Sequence, residues 1–306
     1  DVINLPNSLL IGLAGPLKRA VGRPIFCTLQ GEDLFLEGLQ EPYRSKAMGL
    51  IREKVRDVDG FVAVSDYYAV FMADYLGIPA HAMHVVPLGI NLTGYGSRQR
   101  SGPFTIGYFA RVAPEKGLHN LVAAYRLLRR DMGSSEVRLE AAGYLAPEHR
   151  GYLREIEQQM KDWGHEGELH YRGVLDRSGK IEFLQSLDVL SVPSVYREPK
   201  GMFLLEAMAC GVPVVQPRHG AFPEILEKTG GGILVNPDDA ADLAKGLTSL
   251  YKDRELAEKL GRAGREGVRA HFDVAKEAQA TLDVYSRHAT VRKILPEPVI
   301  APDRSR

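Results

Sequence analysis

The chain has 306 residues, of which 44% are hydrophobic and 25% are charged, and its formal net charge is zero. This is the composition of an ordinary soluble globular protein, long enough for two domains of about 150 residues each. Zero net charge excludes an overall basic surface for nucleic acid, so any anion-binding surface must be local, and small molecules are the expected partners. Cys27 and Cys210 lie in apolar stretches, which is typical of reduced core residues in a cytoplasmic protein.

The first 90 residues alternate strand-like and helix-like segments. The runs DVINL, RPIFCTLQ, GFVAVS and HVVPLGI are typical of buried strands, and the segments between them have helical periodicity or helix-forming composition. The apolar stretch SLLIGLAG is too short to span a bilayer. This half is short by roughly three strands relative to a doubly wound sheet of about six. Because the chain also begins with Asp1, we expect its N-terminal portion to be missing.

A polar segment with three glycines, residues 91–104, predicts a linker. After it the alternation resumes with FTIGYF, VRLEAAG, LHYRG, DVLSVP, VPVVQP and GGILVN, which predicts a second parallel sheet. The expected fold is therefore α/β, with two doubly wound, Rossmann-like domains of which the first is incomplete. The predicted parts are a partial first domain at 1–95, a second domain at 103–270, a helix returning toward the first domain at 271–290, and a loose tail at 291–306.

Two cations flank the first crossover of the second sheet. Arg111 and Lys116 precede a helix that the periodic apolar residues place from about Lys116 or Gly117 onward. They therefore lie at the carboxyl edge of a parallel sheet and at a helix N-terminus, where backbone N–H groups favour an anion. A diphosphate is the expected ligand. The periodic apolar residues of that helix are Leu118, Leu121, Val122, Tyr125 and Leu128.

Two glutamates mark a later crossover, REPKGMFLLEAMACGVPVV. Pro199 and Gly201 disfavour a helix interior, so a helix is predicted from about Gly201, with Glu198 in the preceding loop and Glu206 inside the helix. The segment HGAFPEIL supplies a third helix N-terminus at the same edge, after Gly220. Several helix N-termini are thus expected to converge on one cleft.

The runs RVAPEKG, DVLSVPS, EPKGMFLLEAMACGVPVV and HGAFPEIL together resemble the nucleotide-sugar-binding domain of retaining glycosyltransferases of the GT-B fold, family 4 or "group 1". The resemblance covers nearly all of residues 103–288, and the first domain looks like the second half of that family's acceptor domain. It implies that Glu206 binds the ribose hydroxyls of the donor and that Glu198 lies by the donor sugar. It also implies that Arg111 and Lys116 take the diphosphate, so these two cations and Glu198 are the expected catalytic residues.

The remaining site residues follow from the same resemblance. Backbone groups near Gly201 and Met202 would contact the sugar or phosphate, and Gly173 and Val174 would face the base. Two further side chains of the donor site and three on the acceptor side complete the expected set. The donor-side pair is Tyr196 and His219, and the acceptor-side residues are Gln30, Glu32 and Asp33.

The sequence departs from the family pattern at three places. In CTLQGEDLF, Gln30 stands where the family has a His, and neutral Gln cannot transfer protons. Lys200 stands where the residue after Pro199 is usually aromatic, and the opening strand and glycine-rich loop of the acceptor domain are absent. The family reaction needs no protein base in the strict sense, because phosphate oxygen helps to take the acceptor proton. Catalysis is therefore expected to be possible, although weak in an incomplete chain.

The resemblance predicts a retaining hexosyltransferase-type enzyme that moves a sugar from a UDP-, GDP- or ADP-sugar to a carbohydrate, lipid or small-molecule acceptor, with no metal or other cofactor. Two alternatives are a GT-B protein that binds a nucleotide sugar or glycan with little turnover, and a GT-B nucleotide-sugar epimerase. Nucleic acid is not an expected partner. The expected location is cytoplasmic. For the basic helix at residues 44–57 two interpretations stay open, a solvated face and peripheral contact with an anionic membrane.

Overall fold

A computed structural model describes residues 1–97, 102–132 and 137–288. It contains two separate parallel sheets, as the two series of apolar runs predict. The strands of the first sheet are β1 (Ile3–Leu5), β2 (Ile25–Leu29), β3 (Gly60–Ala63) and β4 (Met83–Val85). Those of the second are β5 (Phe104–Phe109), β6 (Val137–Ala142), β7 (Leu169–Tyr171), β8 (Val189–Leu190), β9 (Val214–Pro217) and β10 (Gly232–Val235).

Helices fill most of the connections, so that both sheets are built from β–α–β units. The helices of the first domain are α1 (Ala14–Val21), α2 (Asp33–Glu37), α3 (Tyr43–Lys54) and α4 (Asp66–Leu76). The second sheet adds α5 (Leu118–Met132), α6 (Arg150–Asp162), α7 (Arg177–Gln185), α8 (Met202–Ala209) and α9 (Phe222–Thr229). Three more helices follow it, α10 (Ala240–Lys252), α11 (Arg254–His271) and α12 (Val274–Ser286).

The second sheet has the strand order β10-β9-β8-β5-β6-β7, with every neighbouring pair parallel. From β5 the chain continues to one side of the sheet, and from β8 it continues to the other. Between those two strands the winding reverses, and the loops that leave their carboxyl ends diverge. Ligands of open α/β sheets bind in the crevice at such a reversal point. This topology predicts a ligand site at the loops after β5 and β8.

Each sheet has its own hydrophobic core. The predicted apolar face of α5 is confirmed, because its five periodic residues are all buried between the helix and the sheet. Both cysteines are buried and free, as expected. In the last helix, α12, Val284 lies in a small cluster with Phe26 and Val62 of the first sheet, and the ring centroids of Tyr285 and Phe26 are 4.8 Å apart. Helix α12, the last helix of the described residues, thus packs against the first domain.

The chain crosses between the two domains at two adjacent places. Ile90 forms a parallel bridge with Asp273, and the Gly89 N–H donates to the Glu277 carboxylate at 2.9 Å. A Cβ atom at Gly89 would lie 2.6 Å from the Asp273 carbonyl oxygen, so glycine permits this close approach. The two crossings are therefore packed against each other.

The segment predicted as a linker is packed against the second domain in its described part. Tyr95 is 5% exposed and belongs to the core of the second sheet. Arg177 holds the same segment by donating to the carbonyl oxygens of Asn91 and Thr93. Residues 98–101 of the predicted linker and the whole of the predicted tail at 291–306 lie outside the described residues.

Candidate active site

The loops after β5 and β8 bring together a buried ion pair at the reversal point. The Lys116 Nζ lies 2.5 Å from Glu198 Oε2, and only 11% and 6% of the two side chains are exposed. Tyr196 completes the group, because its hydroxyl donates to Glu198 at 2.8 Å and accepts from Lys116 at 3.1 Å. Burial and the Glu198 charge both raise the pKa of Tyr196, so its hydroxyl stays protonated and donates. Three residues selected from the sequence thus form one unit.

The backbone of the first loop explains how Lys116 reaches this position. Pro114–Lys116 forms a single 3-10 turn that ends on Gly117 with a φ of 73°. A Cβ at Gly117 would lie 1.9 Å from the Pro193 carbonyl oxygen, so the turn packs directly against the loop after β8. Only glycine combines that left-handed conformation with such close contact. The helix that the sequence placed near residue 116 or 117 begins after this turn, at Leu118.

Arg111 lies at the more open side of the same loop. Its side chain is 54% exposed and its guanidinium pairs with Glu115 at 3.0 Å. Lys116, by contrast, is engaged by Glu198 and Tyr196. The two cations that the sequence assigned jointly to a diphosphate therefore differ in availability, since Arg111 reaches solvent and Lys116 lies at the base of the cleft.

Helix α8 begins as predicted, with Gly201 as its N-cap at a φ of 63°. Met202 is its first residue, so the free N–H groups of the first turn point toward the carboxyl edge. Glu206 lies one turn further along the same helix face as Met202. Its Oε1 accepts from Lys180 at 2.6 Å and from the Tyr95 hydroxyl at 3.1 Å.

Both of these bonds use Oε1 of Glu206, and within the described ranges no hydrogen bond to Oε2 is present. A carboxylate oxygen can accept two hydrogen bonds, so Glu206 keeps capacity for ligand hydroxyls. Sequence reasoning missed Lys180 and Tyr95 as supports of this acid. Tyr95 lies in a polar, glycine-containing stretch without a recognisable pattern. Lys180 is one of several charged residues on α7, and no local signal distinguishes it from the others.

Unpartnered polar atoms gather at the carboxyl ends of β8 and β9. In the described part of the chain, Ser194 Oγ, Gln216 Nε2 and His219 Nδ1 are buried without a hydrogen-bond partner. The other ring nitrogen of His219 lies 2.9 Å from the Ser194 carbonyl oxygen, and burial lowers the pKa of His219 below its ordinary value. Buried polar atoms of this kind are satisfied by ordered water or a ligand. The third crossover therefore supplies a neutral imidazole at the site edge.

The residues predicted to face the base lie at the end of β7. Gly173 has a φ of 71°, and its carbonyl oxygen accepts from the Gly143 N–H at 2.9 Å. Val174 is 69% exposed. An exposed apolar side chain beside a fixed backbone turn is available for contact with a planar ring.

On the first domain, the loop after β2 is fixed by Glu32. Its two oxygens accept from the Ser8 N–H and hydroxyl and from the Gln30 and Gly31 N–H groups, at 2.8–3.1 Å. This buried acid shapes the loop and has little capacity left for an acceptor. Asp33 accepts from Tyr68 at 2.7 Å, and burial raises its pKa.

Gln30 lies at the domain boundary. Its amide nitrogen donates to the Pro6 carbonyl oxygen at 2.9 Å, and its Oε1 accepts from Lys200 at 3.3 Å. The two side-chain departures from the family pattern thus contact each other across the cleft. No group of three or more His, Cys, Asp or Glu residues in the described ranges is arranged to hold a metal ion.

The family model for Glycosyl transferases group 1 matches residues 96–267, more than half of the chain. The chain belongs to this group 1 glycosyltransferase family. A second model, Glycosyltransferase Family 4, matches residues 1–93, so the two matches correspond to the two sheets.

The sequence identity between this group 1 chain and its curated relatives is below one third. It is 29% identical to glycogen synthase of Mycobacterium tuberculosis over 76% of the chain and 55% of the relative. It is also 29% identical to phosphatidyl-myo-inositol mannosyltransferase of Mycobacterium leprae, over 79% of the chain and 63% of that protein. The chain therefore spans little more than half the length of these relatives.

Solved structures similar to this chain show that it has the GT-B fold. Sucrose-phosphate synthase from Thermosynechococcus elongatus aligns with a TM-score of 0.79 at 22% identity, covering 94% of this chain and 73% of that one. Anabaena Alr3699/HepE in complex with UDP aligns with a TM-score of 0.82 at 20% identity, covering 94% and 79%. At these identities the likeness establishes the fold alone.

Proposed function

We propose that this group 1 glycosyltransferase transfers a sugar from a nucleotide diphosphate sugar to an acceptor in the cleft between its two sheets, with retention of anomeric configuration. One observation carries the proposal. The buried Lys116–Glu198–Tyr196 unit lies at the winding reversal of the second sheet, beside the free N–H groups of α8. The crystal structure of HepE is a complex with UDP, which supports a nucleotide donor for this chain as well.

Each part of the site has a role in this scheme. Glu206 Oε2 would accept from the ribose hydroxyls, and Glu198 would accept from a hydroxyl of the donor sugar. The N–H groups at Gly201 and Met202, with Arg111, would stabilise the charge that develops on the diphosphate. Lys116 supplies a further positive charge at the base of the cleft. Gly173, Val174 and His219 would border the base and the phosphates.

The bond changes balance without a protein base. The acceptor oxygen attacks the anomeric carbon on the face from which the diphosphate leaves, and the carbon–oxygen bond to phosphate breaks with its electron pair going to the diphosphate. The acceptor proton passes to a phosphate oxygen. Because this route leaves Gln30 no proton to carry, its neutral amide is compatible with turnover. Positive groups around the leaving diphosphate serve in place of a metal ion.

Binding without turnover is a second candidate, and one observation favours it. Both ends of the Gln30 amide are held, by Pro6 and by Lys200, where the resemblance expects a His. A nucleotide-sugar-binding protein would keep the donor site and lack product formation. The epimerase alternative gains no support from the described contacts.

The test combines binding and product measurements. Calorimetry with UDP, GDP and ADP should detect one nucleotide, and incubation with the matching nucleotide sugars and an acceptor panel should yield a product whose anomeric configuration is read by NMR. A folded chain that binds none of the nucleotides at millimolar concentration contradicts the donor site. Binding without product supports the second candidate, and an inverted product removes the retaining assignment.

Contact with a membrane remains a prediction from the basic helix. None of the helices in the described residues is both long and apolar enough to cross a bilayer. On α3, Arg44 pairs with Glu37, Lys54 pairs with Glu53, and Arg52 donates to the Tyr75 carbonyl oxygen. Much of the positive charge of α3 is therefore engaged within the protein.

A further inference from the structure

The loop from Glu198 to Gly201 spans the cleft, with successive residues bonded to opposite domains. Glu198 pairs with Lys116 on the second domain. The Pro199 carbonyl oxygen accepts from the Ser65 hydroxyl of the first domain at 2.8 Å, in a buried bond. Lys200 then donates to Gln30 Oε1 at 3.3 Å. The ammonium group of Lys200 is therefore placed on the acceptor side of the cleft, two residues from the sugar-facing acid.

The charge of Lys200 has no direct counter-ion. Across the described residues, no carboxylate forms an ion pair with it, and its hydrogen bond goes to a neutral amide oxygen. The nearby carboxylates are engaged elsewhere, since Glu198 is held by Lys116 and Glu32 by donors of its own domain. Burial lowers the pKa of Lys200, the expected effect of a partly desolvated ammonium group.

A half-buried cation without a counter-ion is unfavourable in the free protein and attracts an anion strongly. A hydrogen bond from ammonium to carboxylate or phosphate adds the attraction of two opposite charges, which a bond to a neutral amide oxygen lacks. The 3.3 Å bond to Gln30 is long, so an anion entering the cleft could replace it at low cost. A neutral apolar side chain at this position would lack that property.

We propose that Lys200 is a specificity-determining residue that binds a carboxylate or phosphate group of the substrate on the acceptor side of the cleft. The inference rests on the proposed function, because it needs a donor in the neighbouring site. The anionic group belongs either to the acceptor or to the sugar being transferred. In both cases the group lies between Glu198 and Gln30, and a matching neutral compound binds less well.

The test first saturates the chain with whichever of UDP, GDP or ADP binds it, which occupies the diphosphate site. Inorganic phosphate, glucose 6-phosphate and glucuronate are then titrated at constant ionic strength, with glucose as the neutral control. Binding is followed by calorimetry and by the ¹³Cε signal of Lys200 in lysine-labelled protein, assigned with Lys200→Met. We expect a saturable shift of that signal with anions and none with glucose.

Variants separate recognition from a merely structural contact. Lys200→Met should weaken anion binding at least tenfold while nucleotide affinity stays within twofold, and Lys200→Arg should retain most of it. Gln30→Met removes the neutral partner of Lys200, together with the bond from Gln30 to the Pro6 carbonyl oxygen, and should leave anion binding equal or stronger. Lys161→Met, at an exposed surface pair, is the control for losing a lysine and should change nothing.

The source of the anion is found with paired substrates. A preference for glucose 6-phosphate over glucose assigns the anion to the acceptor, and a preference for UDP-glucuronate over UDP-glucose, or the same pair on another base, assigns it to the donor sugar. If nucleotide binds and no anion shifts the Lys200 signal, Lys200 only joins the domains and the inference is wrong. If no nucleotide binds, the proposed function itself has failed.

Discussion

The acid inside α8 is positioned by two residues distant in sequence. Lys180 and Tyr95 hold Oε1 of Glu206, and within the described residues Oε2 has no hydrogen bond. Glu206→Ala should therefore weaken nucleotide binding by about 1.5–3 kcal/mol, the size of a lost hydrogen bond to a charged group. Calorimetry measures this loss.

Deoxynucleotides show whether that loss arises at the ribose. If Glu206 accepts from ribose hydroxyls, a 2′,3′-dideoxynucleotide should bind Glu206→Ala and the unsubstituted protein almost equally, because the interaction is already absent. Glu206→Gln keeps an acceptor for Tyr95 and Lys180 and is the control for a change in packing around these two side chains. An equal loss with both nucleotides would assign Glu206 to the fold alone.

Arg111 offers a contrast, since its guanidinium is exposed and can be removed without leaving a buried charge. Arg111→Met should weaken diphosphate nucleotides by about 1–2 kcal/mol and leave nucleosides unchanged, because only the phosphates meet its charge. Higher salt should reduce the difference. Arg262→Met removes a similar exposed i,i+4 pair on α11 and is the control. Equal losses for nucleoside and diphosphate would argue against a phosphate contact.

At the scale of elements, the contact between the loops after β5 and β8 depends on one glycine. Gly117 has a φ of 73°, and its Cβ position lies 1.9 Å from a main-chain oxygen. Gly117→Ala should therefore lower the unfolding free energy by about 2–4 kcal/mol through backbone strain and overpacking. It should also displace Lys116 and weaken nucleotide binding.

The matched control is Gly151→Ala, inside α6, where an added Cβ meets no atom within 4 Å. That change should be neutral or stabilising by up to about 1 kcal/mol, since alanine favours a helix. Thermal or denaturant unfolding measures both variants. Similar stabilities for the two would show that the loop contact is not tight.

Element types could be predicted here because buried parallel strands are short apolar runs, and all ten strands of the described residues overlap the runs selected from the sequence. The lengths of these strands could not be predicted from the sequence. The run DVLSVP yields only Val189–Leu190 as strand. Before it, the Asp188 carboxylate accepts from the Thr105 N–H, and after it, the Ser194 N–H donates back to the Val192 carbonyl oxygen in a tight turn.

Candidate site residues could be selected from the sequence where residue types and local spacing carry the information, but not where the contact is tertiary. Lys116 and Glu198 were selected from their own crossovers, and the structure brings them together. Tyr95 reaches Glu206 across 111 residues and Lys180 reaches it across 26, and no local pattern encodes such a pairing. The Lys200–Gln30 contact was likewise visible only as two unrelated departures.

At the scale of the whole molecule, Glu224 of α9 links the two domains. Its carboxylate accepts from the N–H groups of Asp66 and Tyr67 at the start of α4, at 3.0 and 3.4 Å. Burial, and next the charge of Asp66, raise the pKa of Glu224 above its ordinary 4.5. The folded state therefore binds more protons than the unfolded state in the window above pH 4.5.

The sign of the pH effect follows. Because the folded state holds the extra proton, the contribution of Glu224 to the unfolding free energy decreases as the pH rises from 4.5 through the raised pKa. Glu224→Gln should remove that slope while its amide oxygen still accepts from α4. Denaturant unfolding of both proteins from pH 4.5 to neutrality measures the difference. Parallel curves would contradict the raised pKa.

The paired crossings at Ile90 and Asp273 restrict how the two domains can move relative to each other. Two strands of chain bridged side by side resist sliding and separation, and they leave rotation about their common line as the motion open to the domains. The bonds made by Ser65, Lys200 and Glu224 are those that such a rotation makes or breaks. In that geometry the width of the cleft depends on the angle of this rotation.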